Sequence, residues 1–211
     1  MSRNDIAPTA FHVASDGWCP EAQCIRSPNF NARPVGMPIS LLVIHNISLP
    51  LGQFGTPFIP ALFTNQLDCD AHPSFDALRK LHVSAHFLIR RDGSVMQFVS
   101  TYQRAWHAGV SSFGGREGCN DFSIGIELEG SDFVPFDDAQ YAALLRLTVA
   151  LCKQHPLTDV AGHQHIAPGR KTDPGSCFDW SKYQRLLLND TSNIPPQPPP
   201  SRAQLGFPAG A

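Results

Sequence analysis

The 211-residue chain has no surplus of positive charge: 16 Lys and Arg stand against 18 Asp and Glu, for a formal net charge of −2. Nucleic-acid binding draws its affinity from counterions released by a basic face, so that class of partner is excluded. The chain also has no apolar run of about 18 residues, the length a membrane-crossing helix needs, and no membrane partner is expected. Its first residues, MSRNDIAPTAFHVASDGW, include Asp5 and Asp16 and lack the apolar stretch of a secretory signal. A cytoplasmic protein is therefore expected. Six cysteines are present (Cys19, Cys24, Cys69, Cys119, Cys152 and Cys177), but no CxxC pair completes a structural zinc knuckle among them. Without an export signal they are expected to be free thiols. No internal repeat occurs either, which excludes an array of stacked units.

What remains suits one globular domain, with 42% hydrophobic residues and enough length to bury a substantial core. The stretch from Thr191 to Ala211 holds six prolines in 21 residues and reads as a disordered or polyproline tail. Residues 1–16 read as a flexible N-terminal extension, which leaves 17–190 for the working domain.

Within that domain, Leu41-Leu42-Val43-Ile44 is a short apolar run, a buried strand that delivers His45 at its end. The runs 85–90 and 95–99 flank Arg91-Asp92-Gly93-Ser94 and predict a hairpin. From Phe122 to Glu129 the pattern alternates, with Phe122, Ile124, Ile126 and Leu128 on a core face and Ser123, Gly125, Glu127 and Glu129 on the other. Helical spacing begins after Asp137, with Gln140 three residues on as a capping box, and Pro156 closes the segment. A second helix is predicted over 179–188, and shorter ones over 57–65 and 74–81. Strands interspersed with helices give an α/β or α+β domain around a mixed sheet.

Several residue types with the right company could do chemistry. His45 ends an apolar strand, where a rigid sheet can hold a ligand, although a core histidine would read the same way. Gly162-His163-Gln164-His165 places two imidazoles at i and i+2, on one face of an extended segment. In Lys171-Thr172-Asp173 the same spacing sets an ammonium beside a carboxylate, while Asp173-Pro174-Gly175 taken alone is an ordinary turn. Two imidazoles and a carboxylate on zinc leave the fourth tetrahedral position open, as a catalytic site requires. Glu127 and Glu129 are either a solvated pair or the source of a general base acting on water at the metal. Trp106, His107 and the loop Gly114-Gly115-Arg116 could line a groove for sugar or peptide.

The segments VIHNISLP, RAWHAG, CNDFSIGIELEG and RKTDPG, in order within a match from about Gly17 to Tyr183, resemble the AmpD family of 1,6-anhydro-N-acetylmuramyl-L-alanine amidases. That family belongs to a wider group of zinc amidases with bacteriophage T7 lysozyme and the peptidoglycan-recognition proteins. The resemblance implies a mixed sheet flanked by helices and one zinc ion held by His45, His163 and Asp173. It implies catalytic roles for Glu127, as general base, and Lys171, as oxyanion stabiliser, with Asn46, Trp106 and His107 near the substrate groove. Arg116, from its loop, is added as a substrate contact. His165 falls where the family has a non-ligand polar residue, which favours His163. The implied partner is a small anhydromuropeptide met during cell-wall recycling, and a monomer is expected. His82 and Gly118 stand where relatives carry basic residues, so contacts to the stem-peptide carboxylates are expected to differ. The alternative is a module that binds peptidoglycan fragments without cutting them. Such a module would lack a zinc ligand, and all three are present.

Overall fold

A computed structural model describes residues 10–189 and 205–208. Its centre is a six-stranded sheet: β1 (Gln23–Cys24), β2 (Leu41–Ile47), β3 (Phe87–Ile89), β4 (Val95–Gln97), β5 (Ser123–Glu129) and β6 (Asp159–Gly162), in the spatial order β1-β4-β3-β5-β2-β6. Only the β3–β4 hairpin is antiparallel; every other neighbouring pair is parallel. The hairpin turns where expected, and Gly93 takes a φ of +81° there, a conformation that favours glycine. Two short antiparallel ribbons, Phe30–Asn31 with Arg104–Ala105 and Ser112–Phe113 with Arg116–Glu117, lie outside this sheet.

Among the described residues, four α-helices accompany the strands: α1 (Phe58–Phe63), α2 (Asp138–Gln154), α3 (His163–Ile166) and α4 (Trp180–Asn189). Helix α2 begins at the expected capping box, where Gln140 Oε1 accepts the Asp137 N–H at 3.1 Å. The amide nitrogen of Gln140 donates to the carbonyls of Ile89 and Glu129, tying the helix to the ends of β3 and β5. The segment expected as a helix over 74–81 is a 3-10 turn spanning Pro73–Leu78. Among the described residues, no helix is long and apolar enough to cross a membrane. Cys19, Cys24, Cys69, Cys119 and Cys177 are free thiols.

Packing on both faces explains a departure from the alternating pattern. Leu42, Ile44, Ile124 and Ile126 meet Leu144, Leu147 and Leu151 of α2 and Tyr183 and Leu187 of α4 in one cluster. Other clusters form around Leu88 with Ile59 and Phe63, and around Leu41 and Val43 with Phe122 and Ile166. Consequently all seven residues of β5 are buried, Glu127 and Glu129 included. They are not a solvated pair. A parallel strand at the centre of a sheet is covered on both sides, so polar residues on it point into the protein rather than into water.

The ends of the chain are only partly described; 1–9, 190–204 and 209–211 lie outside the described residues. Phe11 and Val13 pack against the main core cluster. Part of the expected loose tail is docked: Leu205 is buried, and Gly206 exchanges backbone hydrogen bonds with Thr158 and Val160 beside the edge strand β6. An edge strand offers unpaired backbone groups, and Phe207 finds the ring of Tyr183 alongside.

Candidate active site

Strands β2, β5 and β6 run parallel and end on the same edge of the sheet. Their register aligns His45 with Glu127, and Ile44 with both Ile126 and Gly162, so that His163, the next residue after Gly162, continues the row. Carboxyl ends of parallel strands are where α/β sheets hold their ligands. Asp173 reaches this row from the loop after α3. That loop is held by Gln164, whose N–H donates to the Asp173 carbonyl at 2.8 Å, and by Asn46, whose Nδ2 donates to the Pro174 carbonyl at 3.0 Å.

Three atoms converge there. His45 Nδ1 lies 3.0 Å from His163 Nδ1 and 3.0 Å from Asp173 Oδ2, and His163 Nδ1 lies 3.1 Å from the same oxygen. His163 Nε2 is 3.1 Å from the Ala108 carbonyl, which can only accept, so the proton is on Nε2 and Nδ1 presents its lone pair to the triangle. A lone pair and a carboxylate oxygen in contact repel unless a cation lies between them. Tetrahedral zinc with ligand bonds of about 2.0–2.2 Å has ligand–ligand edges of about 3.3–3.6 Å. The triangle is slightly tighter than that, and its two-nitrogen, one-oxygen donor set is one zinc accepts. The residues fit a divalent metal.

The electrostatics agree. Burial lowers the His45 pKa, partly opposed by Asp173, so the imidazole is neutral and its contact with Asp173 is not a simple ion pair. Burial works against the Asp173 carboxylate, and a cation between it and the two imidazole lone pairs would keep it ionised. Glu127 behaves oppositely: burial and then the Asp173 charge push its pKa well above the usual range, with Lys171 pulling the other way. Its Oε2 is buried without a hydrogen-bond partner.

The three ligand candidates and Glu127 line one cleft of about 490 Å³, together with Trp106, Lys171, Arg170 and the apolar side chains of Leu62, Phe63 and Leu78. Lys171 is exposed. Trp106 is half-buried, its Nε1 donating to Asn31 Oδ1 at 2.8 Å. His82 also lines the cleft. Asn46 and His107 border it, yet the Asn46 Nδ2 and both His107 ring nitrogens are already engaged within the protein. The Asn46 amide serves Asp132 and Pro174, and the two ring nitrogens of His107 meet His45 Nε2 at 2.9 Å and Ser123 Oγ at 3.1 Å.

Two expectations need correction. Arg116 is not among the residues that line this cleft; its guanidinium stacks on the Phe122 ring at 3.8 Å and donates to Ser40 Oγ. His163 and His165 do not share a face. The segment is one turn of helix rather than extended, and two residues on a helix differ by about 200°. His165 Nδ1 instead accepts the Gly162 N–H at 2.8 Å and its ring packs on Trp180. Asn120 and Arg170, which also border the cleft, carried no signal beyond their place next to recognisable motifs.

Residues 35–176 match the family described as N-acetylmuramoyl-L-alanine amidase. The chain is similar to the 1,6-anhydro-N-acetylmuramyl-L-alanine amidase AmpD of Citrobacter freundii, with 54% identity over 83% of this chain and 95% of the relative. A crystal structure of a selenomethionine AmpD derivative aligns with a TM-score of 0.80 and 54% identity, over 81% of this chain and 97% of the other. The Escherichia coli amidase AmiD, solved in complex with anhydro-N-acetylmuramic acid-L-Ala-D-γ-Glu-L-Lys, aligns with a TM-score of 0.52 and 30% identity, over 74% of this chain and 60% of that one.

Proposed function

The chain belongs to the N-acetylmuramoyl-L-alanine amidase family, and we propose that it cleaves anhydromuropeptides between the lactyl group of 1,6-anhydro-N-acetylmuramic acid and L-alanine, with zinc held by His45, His163 and Asp173. As an amidase of the AmpD type it acts in peptidoglycan recycling. The observation that carries the finer reading is the meeting of three metal-ligating atoms at 3.0–3.1 Å beside a buried, unpartnered carboxylate oxygen.

When bound, zinc supplies Lewis acidity, which polarises a carbonyl and brings the pKa of a water toward about 7. Glu127 is the general base: it takes a proton from the water as the water attacks the lactyl carbonyl, then returns that proton to the departing L-alanine nitrogen. One carboxylic acid and one amine result, and the carboxylate is regenerated. A buried carboxyl with a raised pKa suits both halves of this cycle. The Lys171 ammonium, on the exposed rim, stabilises the oxyanion that develops during attack. Trp106 offers a flat apolar face to the sugar. His82 is the cleft's candidate partner for stem-peptide carboxylates, while Gly118 brings no side chain to that task. In this reading the enzyme works as a monomer in the cytoplasm, where small recycled fragments are met.

Mass spectrometry of the purified protein on anhydro and reducing-end muropeptides, with and without a zinc chelator, tests the reading. Release of stem peptides beginning at L-alanine, lost on chelation and restored by zinc, is expected. Intact muropeptides after incubation with zinc-loaded protein, or cleavage indifferent to the chelator, would overturn it.

A further inference from the structure

We infer that His107 is a positioning residue: it fixes which nitrogen of His45 faces the metal, and the dipeptide His107-Ala108 does the same for His163. The inference rests on the zinc site proposed above and explains how this chain holds it.

A chain of hydrogen bonds has only one consistent direction. It ends at the Cys119 carbonyl, which can only accept, 2.6 Å from Ser123 Oγ. The Ser123 hydroxyl therefore donates there, and its oxygen accepts the proton of His107 Nε2 at 3.1 Å. His107 Nδ1 is left with a lone pair, which accepts from His45 Nε2 at 2.9 Å. His45 Nδ1 is then unprotonated and turned toward His163 and Asp173. A ligating imidazole needs such an outer partner to settle both its tautomer and its ring orientation. Here the partner is another imidazole rather than the more familiar carboxylate or carbonyl.

The rest of the surroundings hold His107 in place. Its ring occupies the space that a side chain at position 125 would fill: a Cβ added to Gly125 would lie 2.5 Å from His107 Cγ. Gly125 is a strand residue with no positive φ, so space rather than backbone conformation calls for glycine there. Asn120 Oδ1 accepts the backbone N–H groups of both His107, at 3.1 Å, and Ala108, at 2.8 Å. The Ala108 carbonyl receives His163 Nε2 at 3.1 Å and Arg170 Nη2 at 2.8 Å. One clamped dipeptide thus sets the outer bond of both metal-facing histidines. A substrate contact through His107 is disfavoured because both ring nitrogens are used inside the protein.

The test measures zinc affinity by competition with a chromophoric chelator, together with the thermal midpoint of the zinc-free protein and separate kcat and KM values. For His107→Phe, which keeps a ring but has no hydrogen-bonding atom, the zinc Kd should rise about 10- to 100-fold while KM stays near wild type. His107→Gln, able to accept from His45, should recover part of that loss. Ser123→Ala should raise the Kd by a few-fold. If His107→Phe fails to fold, His107→Gln and Ser123→Ala decide the question. Wild-type zinc affinity in the folded variants, or a raised KM with zinc affinity intact, would overturn the inference. Absence of zinc binding by the wild-type protein would remove the proposed metal site and this inference together.

Discussion

Two buried polar clusters occupy neighbouring parts of the sheet, and they are wired in opposite ways. Glu129 and Glu127 sit two residues apart on β5, on the same face of the strand. Glu129, 1% exposed, is fully matched: Arg90 Nη1 lies 2.6 Å from its Oε1, Gly55 N–H donates to the same oxygen, and Arg91 N–H donates to Oε2. Glu127, 8% exposed, has a carboxylate oxygen with no protein partner and lines the same cleft as His45, His163 and Asp173. A buried carboxylate that serves the fold is satisfied by the protein, because an unpaired one costs several kcal/mol. In the proposed mechanism, Glu127 is left to be completed by what binds.

The contrast can be broken at either end. The largest effect is expected for Asp173→Ala, which removes the only carboxylate of the triangle; stoichiometric zinc and turnover should both fall to background, as read by elemental analysis and product assay. Glu127→Gln should lower kcat by about 10²- to 10⁴-fold while zinc stays bound. Its thermal midpoint should hold or rise, since a poorly solvated carboxyl is gone, and full activity in this variant would remove Glu127 from the chemistry. Glu129→Gln should do the reverse, with about 3–5 kcal/mol of unfolding free energy lost because Arg90 is left buried without its charge partner. The molecules that remain folded should turn over near the wild-type rate; urea titration and active-site-normalised kinetics separate the two quantities.

A smaller effect, away from both clusters, concerns acid stability. Burial, then the nearby Arg33 charge, lowers the pKa of His155 from its ordinary 6.5 to about 4. Between those values the unfolded chain binds a proton that the folded chain refuses, so this contribution is complete above pH 6.5 and is lost as pH falls toward 4. The gap corresponds to at most about 3 kcal/mol. His155→Gln should flatten the fall in stability between pH 7.5 and pH 4.5, as measured by urea midpoints. An unchanged slope would mean that other groups carry it.

Legibility in the sequence followed the range of the interactions involved. The apolar run before His45, the Asp-Gly hairpin and the capping box at Asp137 all depend on neighbours within a few residues, and each is found where its pattern placed it. The short strand β6 and the helical turn at His163 were not legible, because four-residue elements are set by pairing with β2 and by the Gly162 N–H bond to His165 rather than by periodicity. Arg116 looked like a groove residue because exposed loops carry function; its stacking on Phe122 is a contact no spacing encodes.

By itself, the sequence determined the longer strands, the hairpin and the long helix, and the few residue types able to ligate a metal, since these follow from composition and local periodicity. The tertiary structure shows which of two histidines meets His45 and Asp173, and which of two buried glutamates keeps an oxygen without a protein partner. Candidate ligand atoms 118 and 128 residues apart in the chain come within about 3 Å only through the register of three parallel strands and a returning loop. Whether a carboxylate is matched or left open depends on side chains that such distant segments bring to it.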